Sequence, residues 1–168
     1  MISFLVSVLA LVAGFFLYGA LTRLKFSNSM IENVCHLVKE HMFHYESNWT
    51  KAAVRRFIIR VKPEYLEDLY DVRLADMYGM WNEPVDVRFS ASIQLLLELK
   101  ERIQNELENR TVLSLKDLAV NGNDLINAGF EKGKKLGLIL NELLDCVIED
   151  PSMNEKETLL NVAKKLNQ

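Results

Sequence analysis

The chain has 168 residues, and 20 basic against 23 acidic side chains leave a formal charge of −3, which excludes a strongly basic nucleic-acid coat. Apolar residues make up 49% and charged ones 26%, with only seven glycines and three prolines, so a real core can form and a helical chain is favoured over a disordered or all-β one. Cys35 and Cys146 form no Cys-x-x-Cys pair and read as reduced thiols of a cytosolic-type protein.

From Met1 to Thr22 no side chain is charged, a run long enough to cross a bilayer as a helix, and Arg23 and Lys25 close it. It lacks the basic segment that opens a secretory signal, so export is not expected. If the run inserts, the two cations keep the remainder cytoplasmic. The alternatives are a core helix or a start not native to the rest of the gene, and apolar length alone does not separate the three. Asn48-Trp49-Thr50 and Asn109-Arg110-Thr111 match the glycosylation pattern, which matters only in an exported chain.

Beyond Arg23 the pattern is that of helical globular sequence. Ser29-x-x-Glu32 offers a capping box, and Met30, Val34, Leu37, Val38, His41 and Tyr45 recur at helical spacing, which predicts a helix over about 29–45. Asn48 or Ser47 can cap a second helix with Trp49, Ala53, Phe57 and Val61 inward and Arg55, Arg56 and Arg60 on other faces. Pro63 starts a third, with Leu66, Leu69 and Val72 inward, Asp76 close to that stripe and Gly79 at its end. A linker follows over 81–86. The longest helix is expected over about 89–109, with Phe89, Ile93, Leu96, Leu97, Ile103 and Leu107 inward and Lys100, Glu101, Arg102 and Glu106 opposite.

Near Thr111 the organisation changes. Short helices are expected over 115–119, 123–128, 134–149 and 155–166, separated by Asn121-Gly122, Gly129 and Asp150-Pro151. The expected domains are therefore an apolar segment 1–22, a helical body 23–110 and a helical tail 111–168, all-α throughout.

The chemistry starts from absences. No Asp-x-Asp pair stands beside a glycine-rich phosphate loop, so two-metal nucleotidyl transfer has no carboxylates here. No Ser or Cys stands in a nucleophile elbow or beside an evident base. His36, His41 and His44 share one helix, and His41 with His44 has ligand-pair spacing, but two imidazoles leave a zinc site short. His41 on the apolar stripe reads instead as a hydrogen-bonded core histidine, with Asp76 as its expected partner.

Positive charge gathers twice. Lys51, Arg55, Arg56 and Arg60 lie within ten residues, and Arg56 with Arg60 at i, i+4 can present two guanidinium groups to adjacent phosphates. The alternative is a solvated face paired with acids such as Glu64 and Glu67. The second stretch, Gly129-Phe130-Glu131-Lys132-Gly133-Lys134-Lys135-Leu136-Gly137, runs from a turn into a helix start, where free N–H groups, the dipole and Lys132, Lys134 and Lys135 favour an anion. Gly133 lets backbone approach closely and Gly137 permits tight helix packing. Such a contact reads shape rather than base sequence, as structured RNA demands. The competing reading is a plain turn before an amphipathic helix carried by Leu138, Leu140, Leu143, Leu144 and Val147.

At these residues the chain resembles a known family. Leu118-Ala119-Val120-Asn121-Gly122-Asn123-Asp124-Leu125, then Gly129 and Lys134-Lys135-Leu136-Gly137-Leu138-Ile139-Leu140-Asn141-Glu142-Leu143-Leu144, resemble the tail of bacterial-type CCA-adding tRNA nucleotidyltransferases and related poly(A) polymerases. Leu24-Lys25-Phe26-Ser27-Asn28, Glu40-His41-Met42-Phe43-His44-Tyr45, Ala53-Val54-Arg55-Arg56-Phe57 and Arg73-Leu74-Ala75-Asp76-Met77-Tyr78-Gly79 look like its HD-type helical body, in the same order. The resemblance covers about 20–168.

Several expectations follow from it. Family members keep metal-binding carboxylates and nucleotide selection in an N-terminal head and neck, which have no counterpart here, so Mg2+ with ATP or CTP is implied only where a head is supplied. HD-type sites use a His, a His-Asp pair and a later Asp; Asp76 looks like the last, yet no histidine here precedes an Asp. The family tail lies along the tRNA elbow, which implies tRNA as partner and RNA contacts through Lys132, Gly133, Lys134 and Lys135, with Arg55, Arg56 and Arg60 as further candidates. The reading is thus a tRNA-binding, cytoplasmic body and tail without catalytic residues or a metal site of its own. The alternatives are one subunit of a split enzyme, with its head on another chain, and a membrane-anchored helical interaction module.

Overall fold

A computed structural model describes residues 15–79, 90–109 and 112–167. The helices are α1 (Asn28–Glu40), α2 (Lys51–Val61), α3 (Leu66–Gly79), α4 (Ala91–Glu108), α5 (Gly122–Asn127), α6 (Lys134–Glu149) and α7 (Lys156–Leu166), preceded by helical residues 15–23. The described residues contain no strand, so the class is all-α as the composition implies. Two compact units divide the chain, Met1–Asn48 with Val61–Lys100 and Trp49–Arg60 with Glu101–Gln168.

In the first unit, α1 does not start at the expected box. Ser27 is its cap, accepting from Met30 N at 3.3 Å, which leaves Ser29 inside the helix. Nor does α1 reach residue 45. Tyr45 and Ser47 both donate to Glu98, at 2.6 and 2.7 Å, and these tertiary bonds hold the 42–48 segment out of helical register. His41 is half-buried and hydrogen-bonded, but its Nδ1 donates to Val38 O at 2.7 Å, while the expected partner, Asp76, is held by Arg73 at 3.1 Å. His36 donates through Nε2 to Val61 O at 2.7 Å, and exposed His44 pairs with Glu46 at 3.1 Å.

A short 3-10 turn, Pro63–Tyr65, leads into α3, whose buried residues are Leu66, Leu69, Tyr70 and Met77. On α4 the buried stripe is Ile93, Leu96, Leu99 and Ile103. Leu97 and Leu107, expected inward, are exposed. The run Leu95-Leu96-Leu97 with Leu99 allows two neighbouring stripes, and the one chosen puts Glu106 inside as well.

The described part of the apolar N-terminal run is not a core helix: Phe15 is 77% and Phe16 71% exposed. Met1 to Gly14 and the 81–86 linker lie outside the described residues, as does Phe89. Among the described residues no helix is long and apolar enough to cross a membrane.

The second unit buries Ala52, Val54, Phe57 and Ile58 of α2 and one continuous cluster contributed by the region after residue 111. Leu125, Leu143, Val147, Leu159 and Ala163 are its fully buried centre. Thr50, not Ser47 or Asn48, caps α2 by accepting from Ala53 N at 3.1 Å. Two side-chain boxes shape the entry to the cluster: Asp117 accepts from Ser114 N at 2.8 Å, and Asn121 with Asp124 caps α5 reciprocally. Asn154 clasps this entry by accepting from Ala119 N and donating to Asp117 O, at 2.8 and 3.0 Å.

Candidate nucleic-acid interface

The corner before α6 follows from two glycines. Gly129 has φ +96° and Gly133 φ +156°, backbone states that L side chains rarely adopt. Between them Phe130 turns into the core, 7% exposed, and anchors the corner, while Lys132, Gly133, Lys134 and Lys135 stay exposed. Gly133 caps α6 without a side-chain acceptor, and no acid lies in the first turn. The dipole's positive end therefore meets solvent beside three ammonium groups. Lys135 Nζ reaches Asn167 O at 3.4 Å, a weak tie. Gly137 is exposed and an added Cβ would meet nothing within 4 Å, so tight helix packing is not its role.

The arginines separate into three environments. Arg55, expected on an outer face, is 6% exposed; its Nε donates to Glu106 and its Nη1 to Ile148 O, both at 2.7 Å. Glu106, expected on the solvent side of α4, is 7% exposed for the same reason. Arg56 is exposed and pairs with Glu149 at 2.6 Å. Arg60 is exposed, with its guanidinium 5.2 Å from the Phe57 ring centroid. Glu149 and Glu106 are the partners that sequence reasoning missed, each 51 or more residues from its arginine.

These groups are not gathered at one point. Arg55 and Arg56 bond Ile148 and Glu149 at the end of α6, whereas the lysines stand at its start. The 14 residues from Lys134 to Ile148 span about 21 Å along a helix. Charge near the far end is tempered by Asp150, whose carboxyl is held below its usual range by Ser152 hydrogen bonds and, to a smaller degree, by Arg55.

Among the described residues no three His, Cys, Asp or Glu side chains converge as metal ligands.

The family model described as "tRNA nucleotidyltransferase domain 2 putative" matches residues 83–163. The CCA-adding enzyme of Ligilactobacillus salivarius (strain UCC118) is 37% identical over 65 residues, which is 38% of this chain and 16% of that relative. The chain thus spans about a sixth of the length of the curated relative it matches. No solved structure matches. Over residues 83–163 the chain is thus similar to the tRNA nucleotidyltransferase family, and both matches support membership through the C-terminal part.

Proposed function

We propose that this chain is a tRNA-binding part of a CCA-adding nucleotidyltransferase, holding the phosphate backbone without bond-making carboxylates among these 168 residues; in the alternative reading a head on another chain supplies them. The observation that carries this reading is the uncapped start of α6, with Lys132, Lys134 and Lys135 exposed around Gly133. Arg56 and Arg60 are the second contact, about 21 Å away along α6, and Arg55 serves as an internal brace rather than as a phosphate ligand. The body is the HD-like portion, and the proposed tail begins near residue 111.

The test is a tRNA gel shift across a salt series, with and without labelled CTP and ATP. Binding should weaken as salt rises, because neutralised phosphates release counterions. Replacing Lys132, Lys134 and Lys135 with Ala should weaken binding and flatten that slope by up to about three units. Absence of binding in dilute buffer, or an unchanged slope, rejects the interface; incorporation by the chain alone rejects the external origin of the catalytic groups.

Exposed Phe15, Phe16, Leu24 and Phe26 favour a second reading for the N-terminal segment, in which lipid covers these side chains and Arg23 and Lys25 meet headgroups. Carbonate extraction of the membrane fraction decides it: release into the supernatant removes the anchor.

A further inference from the structure

Nothing inside the second unit requires the glycine at position 137. Gly137 lies within α6 and its φ is not positive, so no turn demands it. An added Cβ would meet nothing within 4 Å, so no neighbour in the chain demands it either. Glycine inside a helix is destabilising relative to alanine. What it provides here is bare, exposed backbone that a partner can approach closely. Lys134, Leu138 and Asn141, each three or four residues from Gly137 or from one another, are exposed beside it. At 66%, Leu138 is the most exposed leucine among the described residues of this unit. Asn141 donates its amide to the Gly137 carbonyl at 2.9 Å and so bends back along the helix.

A second helix brings charge to the same place. Leu159 and Ala163 of α7 are buried in one cluster with Ile139 and Leu143 of α6, and the Lys135 bond to Asn167 O, at 3.4 Å, sets the end of α7 beside the start of α6. Lys164 and Lys165, in the last turn of α7, are exposed. The dipole favours cations there, yet neither makes an ion pair among the described residues. Residues 131–138 and 161–167 together carry five lysines, Lys132, Lys134, Lys135, Lys164 and Lys165, against a single acid, Glu131. Glu142, a turn beyond Leu138, is the next acid along α6. In a chain of charge −3, such a concentration is complementary to a polyanion.

We propose that an RNA sugar–phosphate backbone lies against the outward face of α6 at Gly137 and Leu138, its phosphates held by Lys164 and Lys165 of α7 together with the α6 lysines. The proposal rests on the tRNA reading and deepens it. It adds α7 to the interface and makes Gly137 a close-approach position, where any side chain would hold the RNA off the helix.

The experiment pairs thermal melts of the full chain with tRNA binding isotherms across a salt series. Gly137→Ala should melt about 2–4 °C higher, because alanine is the better helix former and meets no neighbour, yet bind tRNA about fivefold more weakly, as overpacking of a close contact implies. Gly137→Gln, also neutral, should bind more weakly still. Neither variant changes charge, so the salt slope should stay that of the wild type. Lys164→Ala with Lys165→Ala should instead lower the slope by about two. The melts themselves report whether each variant is folded. Wild-type affinity in both Gly137 variants, or an unchanged slope in the α7 double variant, overturns the proposal.

The two readings fail differently. If replacing Lys132, Lys134 and Lys135 weakens tRNA binding while the Gly137 and α7 variants bind as the wild type does, the tRNA reading stands and this face is removed from it. A wild-type chain that ignores tRNA in dilute buffer overturns both. Sedimentation velocity adds a further arm: self-association of the wild type that disappears in Gly137→Gln, with tRNA affinity unchanged, assigns the face to a second copy of the chain and overturns RNA as its occupant.

Discussion

Tyr70 sits on α3 with its ring buried and its hydroxyl bonded to nothing among the described residues. Burial, and to a smaller extent the nearby Glu67 carboxylate, push its ionisation far above that of an ordinary tyrosine. An orphaned hydroxyl costs more than its absence, while the ring keeps its packing and the Lys100 ammonium 4.9 Å from its centroid. Tyr70→Phe should therefore raise unfolding free energy by about 1 kcal/mol in urea denaturation, and a loss of that size would show that the hydroxyl has an acceptor. Asp124 presents the opposite case. Its carboxyl bonds Lys156 and the Asn121 backbone, and these hold its pKa below the usual value. A depressed carboxylate stabilises the fold above its unfolded pKa, and that contribution disappears as pH falls through the folded one. Thermal melts should show the wild type losing stability as pH drops below about 4, with a shallower fall in Asp124→Asn, which keeps a cap-like side chain without the titration. Equal acid slopes in the two proteins would mean that the Lys156 contact contributes nothing in solution.

At the level of elements, α2, α4 and α6 meet through one buried cation. Arg55 of α2 donates to Glu106 of α4 and to the Ile148 carbonyl near the end of α6, so a single guanidinium ties three helices within the second unit. Removing one member of a buried pair strands the other charge, at about 3–5 kcal/mol. Glu106→Ala should show that loss in denaturant melts, and Arg55→Met combined with Glu106→Leu should recover most of it, since an apolar pair of similar volume strands no charge. Additive losses in the double variant would mean that the two side chains do not depend on each other. This brace explains what the amino-acid pattern conveyed and what it did not. The α6 limits, 134–149, and the breaks at Gly129 and Asp150-Pro151 are local chemistry, readable from turn residues and capping, and the lysine corner was legible for the same reason. The inward turn of Arg55 was not, because helical periodicity reports neighbours three or four residues away and Glu106 is 51 residues distant. The same limit hid the Glu98 bonds that end α1 early and the Asn154 clasp on the 117–119 turn.

Across the whole chain the charge is −3, so any attraction to a polyanion must come from how cations are placed rather than from their number. Within the second unit they are placed at the two ends of α6, the lysines by Gly133 and the Arg56 guanidinium by Glu149. A separation of about 21 Å exceeds both the range over which mutational effects couple and the screening length of physiological salt. The two ends should therefore act as independent contacts on one extended backbone. Arg56→Ala with Arg60→Ala, and the triple lysine replacement, are each expected to weaken tRNA binding, and the combined variant should lose the sum of the two free energies to within about 0.5 kcal/mol. Isotherms at one fixed salt concentration measure this directly. A combined loss no greater than the larger single one would mean that both ends bind through a shared rearrangement of α6, and the picture of two separate grips on the phosphate chain would fall.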